Sequence, residues 1–238
     1  GDVTINYVSE GDGPPIVLVH GFASDLHGNW RSPGIFGRLV ADGRRVVALD
    51  CRGHGRSGKT RDPAAYGGSK MADDVIALMD HLGIAKADLM GYSMGGFISA
   101  SLLVDHPERF RSVILGGVGD AVLLGGRAAQ ETNLIADALE ADDPKTIAHA
   151  TARGFRAFAD SSGADRLVLA ALQRSDRHRF DPAKLAEVPI PVLVLVGEKD
   201  VLVGRGEKLA AAIPGARHVV VPGDHLGAPS APEYVDAV

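Results

Sequence analysis

The chain has 238 residues, of which 45% are hydrophobic and 23% are charged, and its net charge is −5. These values fit a soluble globular protein, and the negative net charge argues against nucleic-acid and anionic-membrane partners. No apolar run reaches the roughly 18 residues of a transmembrane helix. Cys51 is the only cysteine, which excludes an intrachain disulfide framework or a multi-cysteine metal site and favours a reducing, cytoplasmic compartment.

Short apolar runs rich in β-branched residues recur along the chain and predict strands buried on both faces. An alternation of apolar and polar residues at 3–7 predicts a half-exposed edge strand before them. Helical patterns separate the runs, so we expect right-handed crossovers and a mostly parallel sheet. The predicted buried strands are 16–19, 45–49, 87–90, 112–115, 191–196 and 218–221, and the predicted helices between them are 36–41, 71–82, 97–103 and 209–213.

The strand pattern disappears between residues 121 and 188, where helical patterns replace it. Strands lie on both sides of this block, so we interpret it as a helical cap inserted over the C-terminal edge of the sheet, where open α/β sheets bind ligands. The predicted division is a core of residues 1–120 and 189–238 with a cap of residues 121–188. We expect an apolar pocket lined by side chains of the cap, namely Leu123, Leu124, Leu134, Phe155 and Phe158.

Residues 89–97 contain a Gly-x-Ser-x-Gly pattern centred on Ser93, between an apolar run and a helical pattern. Glycines two residues before and after the serine suit a strand that turns sharply into a helix, since a Cβ atom there would clash. Such a turn exposes Ser93 at a helix N-terminus, which favours developing negative charge. Because 30 of the residues are glycine, chance would produce this pattern in about one such chain in five, so its context must decide.

A nucleophilic serine needs a base, and a histidine base needs a carboxylate. Asp200 and His225 each follow a predicted buried strand by a few residues, so both lie on loops near Ser93. Asp120 is a rival for the carboxylate and His54 for the base, because each also follows a strand end. A short turn that leads into a helix favours Asp200, and Ser93, Asp200 and His225 are the predicted catalytic residues.

Backbone donors for an oxyanion are expected next to the serine and in the loop after the first buried strand. The N–H groups of Met94 and Phe22 are the candidates, and Gly21 would let the backbone approach closely. The glycine-rich loop at 50–58 is interpreted as structural, with Asp50 bonded to loop backbone, because no phosphate-binding pattern follows it.

Together, the His-Gly-Phe sequence at 20–22, Asp-x-Arg-Gly-His-Gly-x-Ser at 50–57, Gly-Tyr-Ser-Met-Gly-Gly at 91–96, Gly-Glu-Lys-Asp at 197–200 and Asp-His at 224–225 resemble the α/β-hydrolase superfamily. The resemblance implies a doubly wound, mostly parallel sheet of about eight strands with a helical cap. It also implies Ser93 as nucleophile, His225 as base and Asp200 as the residue that orients it, with no cofactor. The serine argues against epoxide hydrolases and haloalkane dehalogenases, which place a carboxylate there.

The expected activity is hydrolysis of small to medium carboxylic esters. Enol-lactonase, C–C bond hydrolase and thioesterase activities stay open, because the same three residues serve them all. A ligand receptor without turnover is the alternative from another class, and the intact set Ser93, Asp200 and His225 argues against it.

Overall fold

The computed structural model of the protein describes residues 3–124, 129–176 and 180–238. Its centre is a seven-stranded sheet in the order β1-β3-β2-β4-β5-β6-β7. Strand β1 runs antiparallel to β3, and all other neighbouring strands are parallel. The strands are β1 (Tyr7–Glu10), β2 (Pro15–Val19), β3 (Arg45–Leu49), β4 (Ala87–Tyr92), β5 (Phe110–Gly116), β6 (Val192–Gly197) and β7 (Arg217–Val221).

Helices cover both faces of this sheet, as the two separate hydrophobic clusters show. In β2, Val17 and Val19 belong to one cluster, with residues of the helices α2 (Lys70–His81), α3 (Met94–Asp105) and α7 (Glu207–Ala212). Ile16 and Leu18 belong to the other, with residues of the helices α1 (Ile35–Ala41) and α8 (Pro232–Ala237). Burial on both faces explains the continuous apolar runs of the strands. The helices are α1 (Ile35–Ala41), α2 (Lys70–His81), α3 (Met94–Asp105), α4 (Ala129–Glu140), α5 (Ala150–Ser162), α6 (Arg166–Arg174), α7 (Glu207–Ala212) and α8 (Pro232–Ala237). None of the helices in the described ranges has the length and apolar composition needed to span a membrane.

The expected doubly wound α/β fold is confirmed, with two corrections at the level of strands. The described residues form seven strands rather than about eight. The edge strand is Tyr7–Glu10 rather than residues 3–7. The residues before it pair with the loop after β3 instead of with a strand, since Asp50 N donates to the Asn6 carbonyl (2.9 Å) and Gly58 N to the Thr4 carbonyl (2.9 Å).

Three helices, α4, α5 and α6, lie between β5 and β6 and pack on one another. The apolar residues they bury, among them Ile135, Leu139 and Leu169, belong to the same cluster as those of α2 and α3. The division into a core of residues 1–120 and 189–238 and a cap of residues 121–188 stays a prediction, and residues 125–128 and 177–179 of that cap lie outside the described ranges.

The parallel pairing brings the carboxyl ends of the strands to one edge of the sheet. Val19 of β2 lies opposite Gly91 of β4, and Gly197 of β6 lies opposite Val221 of β7. The loops after β2, β4, β6 and β7 therefore leave the sheet on the same side, where the candidate site lies.

The turn from β4 into α3 is packed so closely that it requires glycine. A Cβ atom on Gly91 would lie 2.1 Å from the Gly95 carbonyl oxygen, and one on Gly95 would lie 1.9 Å from the Val19 carbonyl oxygen. Because both obstacles are backbone atoms, no side-chain rearrangement could make room. The two glycines of the motif are thus explained by the contact of α3 with β4 and with the end of β2.

We expect Gly95→Ala to lower the free energy of unfolding by about 3 kcal/mol or more, because the new methyl group overlaps the Val19 carbonyl. Gly37→Ala in α1 is the matched control, since no atom other than its neighbours lies within 4 Å of the added Cβ. The control should stabilise the protein by about 0.5–1 kcal/mol through helix propensity. Urea unfolding measures both, and equal stability of the two variants would contradict this packing.

Candidate active site

Ser93 lies between β4 and α3 with a backbone conformation that is rare for a residue with a side chain. Its φ is 53° and its ψ is −115°. Such a conformation costs on the order of 1–3 kcal/mol and persists only where the surrounding structure enforces it. Hydrogen bonds hold it on both sides: Ser93 N donates to the Gly116 carbonyl (2.8 Å), and Phe97 N donates to the Ser93 carbonyl (3.0 Å). The Ser93 hydroxyl is thereby presented at the N-terminus of α3.

The structure brings the three predicted catalytic side chains together in one hydrogen-bonded chain. His225 Nε2 lies 2.8 Å from Ser93 Oγ, and His225 Nδ1 lies 2.6 Å from Asp200 Oδ2. The Asp200 carboxylate is fully buried, and its Oδ1 accepts a hydrogen bond from Leu202 N (3.0 Å). Because a carboxylate only accepts, the proton lies on Nδ1 and leaves Nε2 free to accept the Ser93 hydroxyl proton.

The rival carboxylate Asp120 faces another part of the fold. Its Oδ1 accepts a hydrogen bond from Leu209 N (3.0 Å), in the first turn of α7. That contact ties the segment after β5 to α7, and it leaves Asp200 as the carboxylate that contacts His225.

The rival histidine, His54, is buried, and the ring that lies at hydrogen-bond distance from Ser93 Oγ is that of His225. Its Nδ1 donates to the Arg52 carbonyl (3.1 Å), and its Nε2 has no hydrogen-bond partner among the described residues. Burial, followed by the neighbouring His20, lowers the pKa of His54 to about 3, so the ring is neutral at ordinary pH.

Within the described ranges, no three His, Cys, Asp or Glu side chains are placed to hold a metal ion.

The loop after β2 is held against Ser93 by buried polar contacts. A Cβ atom on Gly21 would lie 3.3 Å from Ser93 Cβ, so the two backbones are close. Gly21 N donates to Asn29 Oδ1 (2.8 Å), and its carbonyl accepts from His20 Nδ1 (2.7 Å), while His20 Nε2 accepts from Cys51 N (2.9 Å). Burial lowers the pKa of His20, which agrees with a neutral ring.

This loop carries the N–H group of Phe22, and the N–H group of Met94 begins α3, where the first amides have no partner within the helix. Sequence reasoning did not single out Asn29. It lies in a glycine-containing loop without periodicity, and only the fold shows that its amide oxygen binds the loop next to Ser93.

The glycine-rich loop after β3 has the structural role expected of it. The Asp50 carboxylate accepts hydrogen bonds from Leu26 N (2.9 Å) and Arg56 N (2.8 Å), which ties the loops after β2 and β3 together. Arg52 forms a buried ion pair with Asp74 (2.6 Å). Burial raises the pKa of the Cys51 thiol, so this cysteine is not a thiolate nucleophile.

Ser93 lines two cavities, and both are also lined by Phe22 and Phe155. The first, of about 320 Å³, is lined by His225 and by the apolar residues Phe158, Leu202, Leu226 and Pro229, among others. The second, of about 400 Å³, contains Met94 and lies against α2, α3 and α6, with a lining that includes Met71, Phe97, Ile98, Ser101 and Gln173.

The five expected pocket residues have three different outcomes. Phe155 and Phe158 line the first cavity. The prediction is wrong for Leu124 and Leu134, which are 78% and 37% exposed, and Leu123 packs against the hydrophobic cluster. In α4 the adjacent Ile135 is the buried residue, so the helix points Leu134 outwards.

Comparison with known proteins assigns the family. A model of the family described as alpha/beta hydrolase fold matches residues 14–177. The chain is 34% identical over 227 residues to the dihydrolipoyllysine-residue acetyltransferase component of the acetoin cleaving system of Pseudomonas putida, covering 87% of this chain and 59% of that protein. It is 30% identical over 221 residues to 3-oxoadipate enol-lactonase 2 of Acinetobacter baylyi, covering 84% of this chain and 77% of that protein.

Among solved structures, a thermophilic esterase from Thermogutta terrifontis superimposes with a TM-score of 0.73 at 26% identity, covering 99% of this chain and 91% of that one. Several curated relatives are longer proteins, and the chain spans between 32% and 59% of their length. The family model nevertheless covers more than half of the chain. Since the sheet order and the strand–turn–helix at Ser93 agree with that match, the chain belongs to the α/β-hydrolase family.

Proposed function

We propose that the protein is a serine hydrolase that cleaves carboxylic esters of small to medium size through an acyl-enzyme intermediate. The observation that supports this most strongly is the chain of hydrogen bonds from Ser93 Oγ through His225 to the buried Asp200 carboxylate, at 2.8 and 2.6 Å. The resemblance to a solved esterase agrees with it.

In the first half of the reaction, Ser93 Oγ attacks the ester carbonyl carbon while its proton passes to His225 Nε2. The carbonyl oxygen becomes an oxyanion, which accepts hydrogen bonds from the N–H groups of Phe22 and Met94. Asp200 stabilises the imidazolium that forms. When the C–O bond of the ester breaks, His225 returns the proton to the leaving oxygen, so an alcohol departs and the acyl group stays on Ser93.

In the second half, water takes the place of the alcohol. His225 removes a proton from the water, the hydroxide attacks the acyl carbon, and the carboxylic acid leaves as His225 returns the proton to Ser93 Oγ. Both halves use the same base and the same two backbone donors, so no further protein group is needed.

The two cavities separate the two parts of the substrate. Because His225 must protonate the leaving oxygen, the alcohol part lies on the side of His225, in the first cavity. The acyl part then extends into the second cavity, beside Met94 and the first turns of α3. The described residues that line the first cavity include no Lys, Arg, Asp or Glu side chain, and burying an unpaired charge is costly, so an uncharged alcohol group fits it.

Hydrolysis of an enol-lactone is the second candidate, favoured by 30% identity to the Acinetobacter enol-lactonase over 77% of that protein. In a lactone the alcohol stays joined to the acyl group, so the substrate must lie across both cavities at Ser93. The shared lining by Phe22 and Phe155 provides that connection. Turnover of matched open-chain esters and lactones distinguishes the two reactions.

We expect Ser93→Ala and Asp200→Asn each to lower kcat on short p-nitrophenyl esters by about a thousandfold or more, because each removes a member of the proton-transfer unit. Asp120→Asn is the matched control, since Asp120 accepts its hydrogen bond from Leu209 N rather than from His225. Steady-state kinetics measures the loss. Wild-type rates for Ser93→Ala would refute the proposal. A larger loss of kcat in Asp120→Asn than in Asp200→Asn would indicate that Asp120 is the carboxylate partner of His225.

Two half-buried phenylalanines test the placement of the substrate, because each lines one cavity only: Phe158 the first and Phe97 the second. In Phe158→Ala, kcat/KM should fall about tenfold more for butyl than for methyl esters of the same acid, since the longer alcohol loses its apolar contact. Phe97→Ala should change the preference among acyl groups instead. Reversed effects in the two variants would place the alcohol in the second cavity.

A further inference from the structure

Tyr92, the residue before Ser93, reaches across the site to the backbone of His225. Its hydroxyl donates a hydrogen bond to the His225 carbonyl oxygen at 2.5 Å. The two rings also lie side by side, with centroids 5.5 Å apart and planes inclined by 37°. The residue before Ser93 is therefore joined directly to the backbone of His225, in addition to the contact between Ser93 Oγ and His225 Nε2.

The surroundings of Tyr92 are shaped for its ring. A Cβ atom on Gly117 would lie 2.7 Å from Tyr92 Cε2, and one on Gly116 would lie 3.1 Å from Cδ2. Tyr234 of α8 packs edge-on against the ring, at 6.0 Å between centroids. Burial raises the pKa of Tyr92 well above its ordinary value, so the hydroxyl keeps the proton that it donates.

The segment that carries His225 is irregular, because it follows the end of β7 and precedes a short turn. The Asp224 carboxylate stabilises the residues that follow His225, because it accepts hydrogen bonds from Leu226 N (3.1 Å) and Gly227 N (2.8 Å). These contacts are local to the loop. The Tyr92 hydroxyl, in contrast, connects the loop to β4, the strand that leads into Ser93.

We propose that Tyr92 is a positioning residue that fixes the imidazole of His225 relative to Ser93 by holding the His225 carbonyl. This inference rests on the proposed function of His225 as the base. Because Tyr92 directly precedes Ser93 in the chain, the Tyr92 hydroxyl moves together with the turn at Ser93. Its hydrogen bond to the His225 carbonyl therefore maintains the distance between Ser93 Oγ and His225 Nε2. Proton transfer depends steeply on that geometry, whereas substrate binding in the two cavities does not.

The test is Tyr92→Phe, with Tyr234→Phe as the matched control. Both variants remove one buried tyrosine hydroxyl, but the Tyr234 hydroxyl has no hydrogen-bond partner among the described residues. In Tyr92→Phe we expect kcat on p-nitrophenyl acetate to fall about tenfold with KM unchanged, the size of one buried hydrogen bond. Tyr234→Phe should keep the wild-type kcat. Equal losses in the two variants, or a kcat within twofold of wild type in Tyr92→Phe, would overturn the inference.

A spectroscopic readout separates positioning from general packing. The proton between His225 Nδ1 and Asp200 should give a downfield proton resonance in the resting enzyme, which broadens in Tyr92→Phe as the ring becomes mobile and stays sharp in Tyr234→Phe. If Tyr92→Phe does not fold, wild-type protein carries the test: a slowly exchanging tyrosine hydroxyl proton with a nuclear Overhauser contact to the His225 ring supports the link, and its absence overturns it.

Failure of this inference and failure of the proposed function give different results. If Ser93→Ala keeps full activity, the proposed function is wrong whatever Tyr92 does. If Ser93→Ala is inactive and Tyr92→Phe has wild-type kcat and a sharp His225 resonance, only the role of Tyr92 is wrong.

Discussion

The close contact of three backbone segments at the turn around Ser93 is the constraint on which the site depends. The end of β2, the end of β4 and the start of α3 approach so closely that Gly91 and Gly95 have no room for a Cβ atom. This packing enforces the positive φ of Ser93 and at the same time brings the loop after β2 beside it. The serine hydroxyl and the two proposed oxyanion donors are therefore positioned by one packing arrangement, before any substrate binds.

Around this turn, buried polar groups restrain each loop through hydrogen bonds. Asn29 and His20 hold Gly21, and Asp50 holds Leu26 in the same loop. The buried Asp200 carboxylate accepts hydrogen bonds from His225 Nδ1 and Leu202 N, which offset part of the cost of burying its charge. Each of these groups has a backbone or side-chain partner, so the geometry of the candidate site is present before any substrate binds.

Motifs with a fixed local geometry could be recognised in the sequence, and contacts between distant segments could not. The strand–turn–helix at Ser93 and the buried strands follow from local patterns, and Asp200 and His225 from their positions after strands. Asn29 and the bond from Tyr92 to His225 depend on how loops far apart in sequence meet, so no pattern marks them. Alternation at residues 3–7 predicts a half-buried face but not its partner, and in the structure Thr4 and Asn6 bond to the loop after β3 instead of to a strand.

The most direct test of the central claim, that Ser93 is a nucleophile activated by His225, is covalent labelling with a fluorophosphonate followed by peptide mass spectrometry. The hydrogen bond of 2.8 Å between Ser93 Oγ and His225 Nε2 predicts a single adduct, on Ser93, that forms rapidly in the wild-type protein and is lost in His225→Ala. Labelling of another residue, or labelling of Ser93 at an unchanged rate in His225→Ala, would contradict the account.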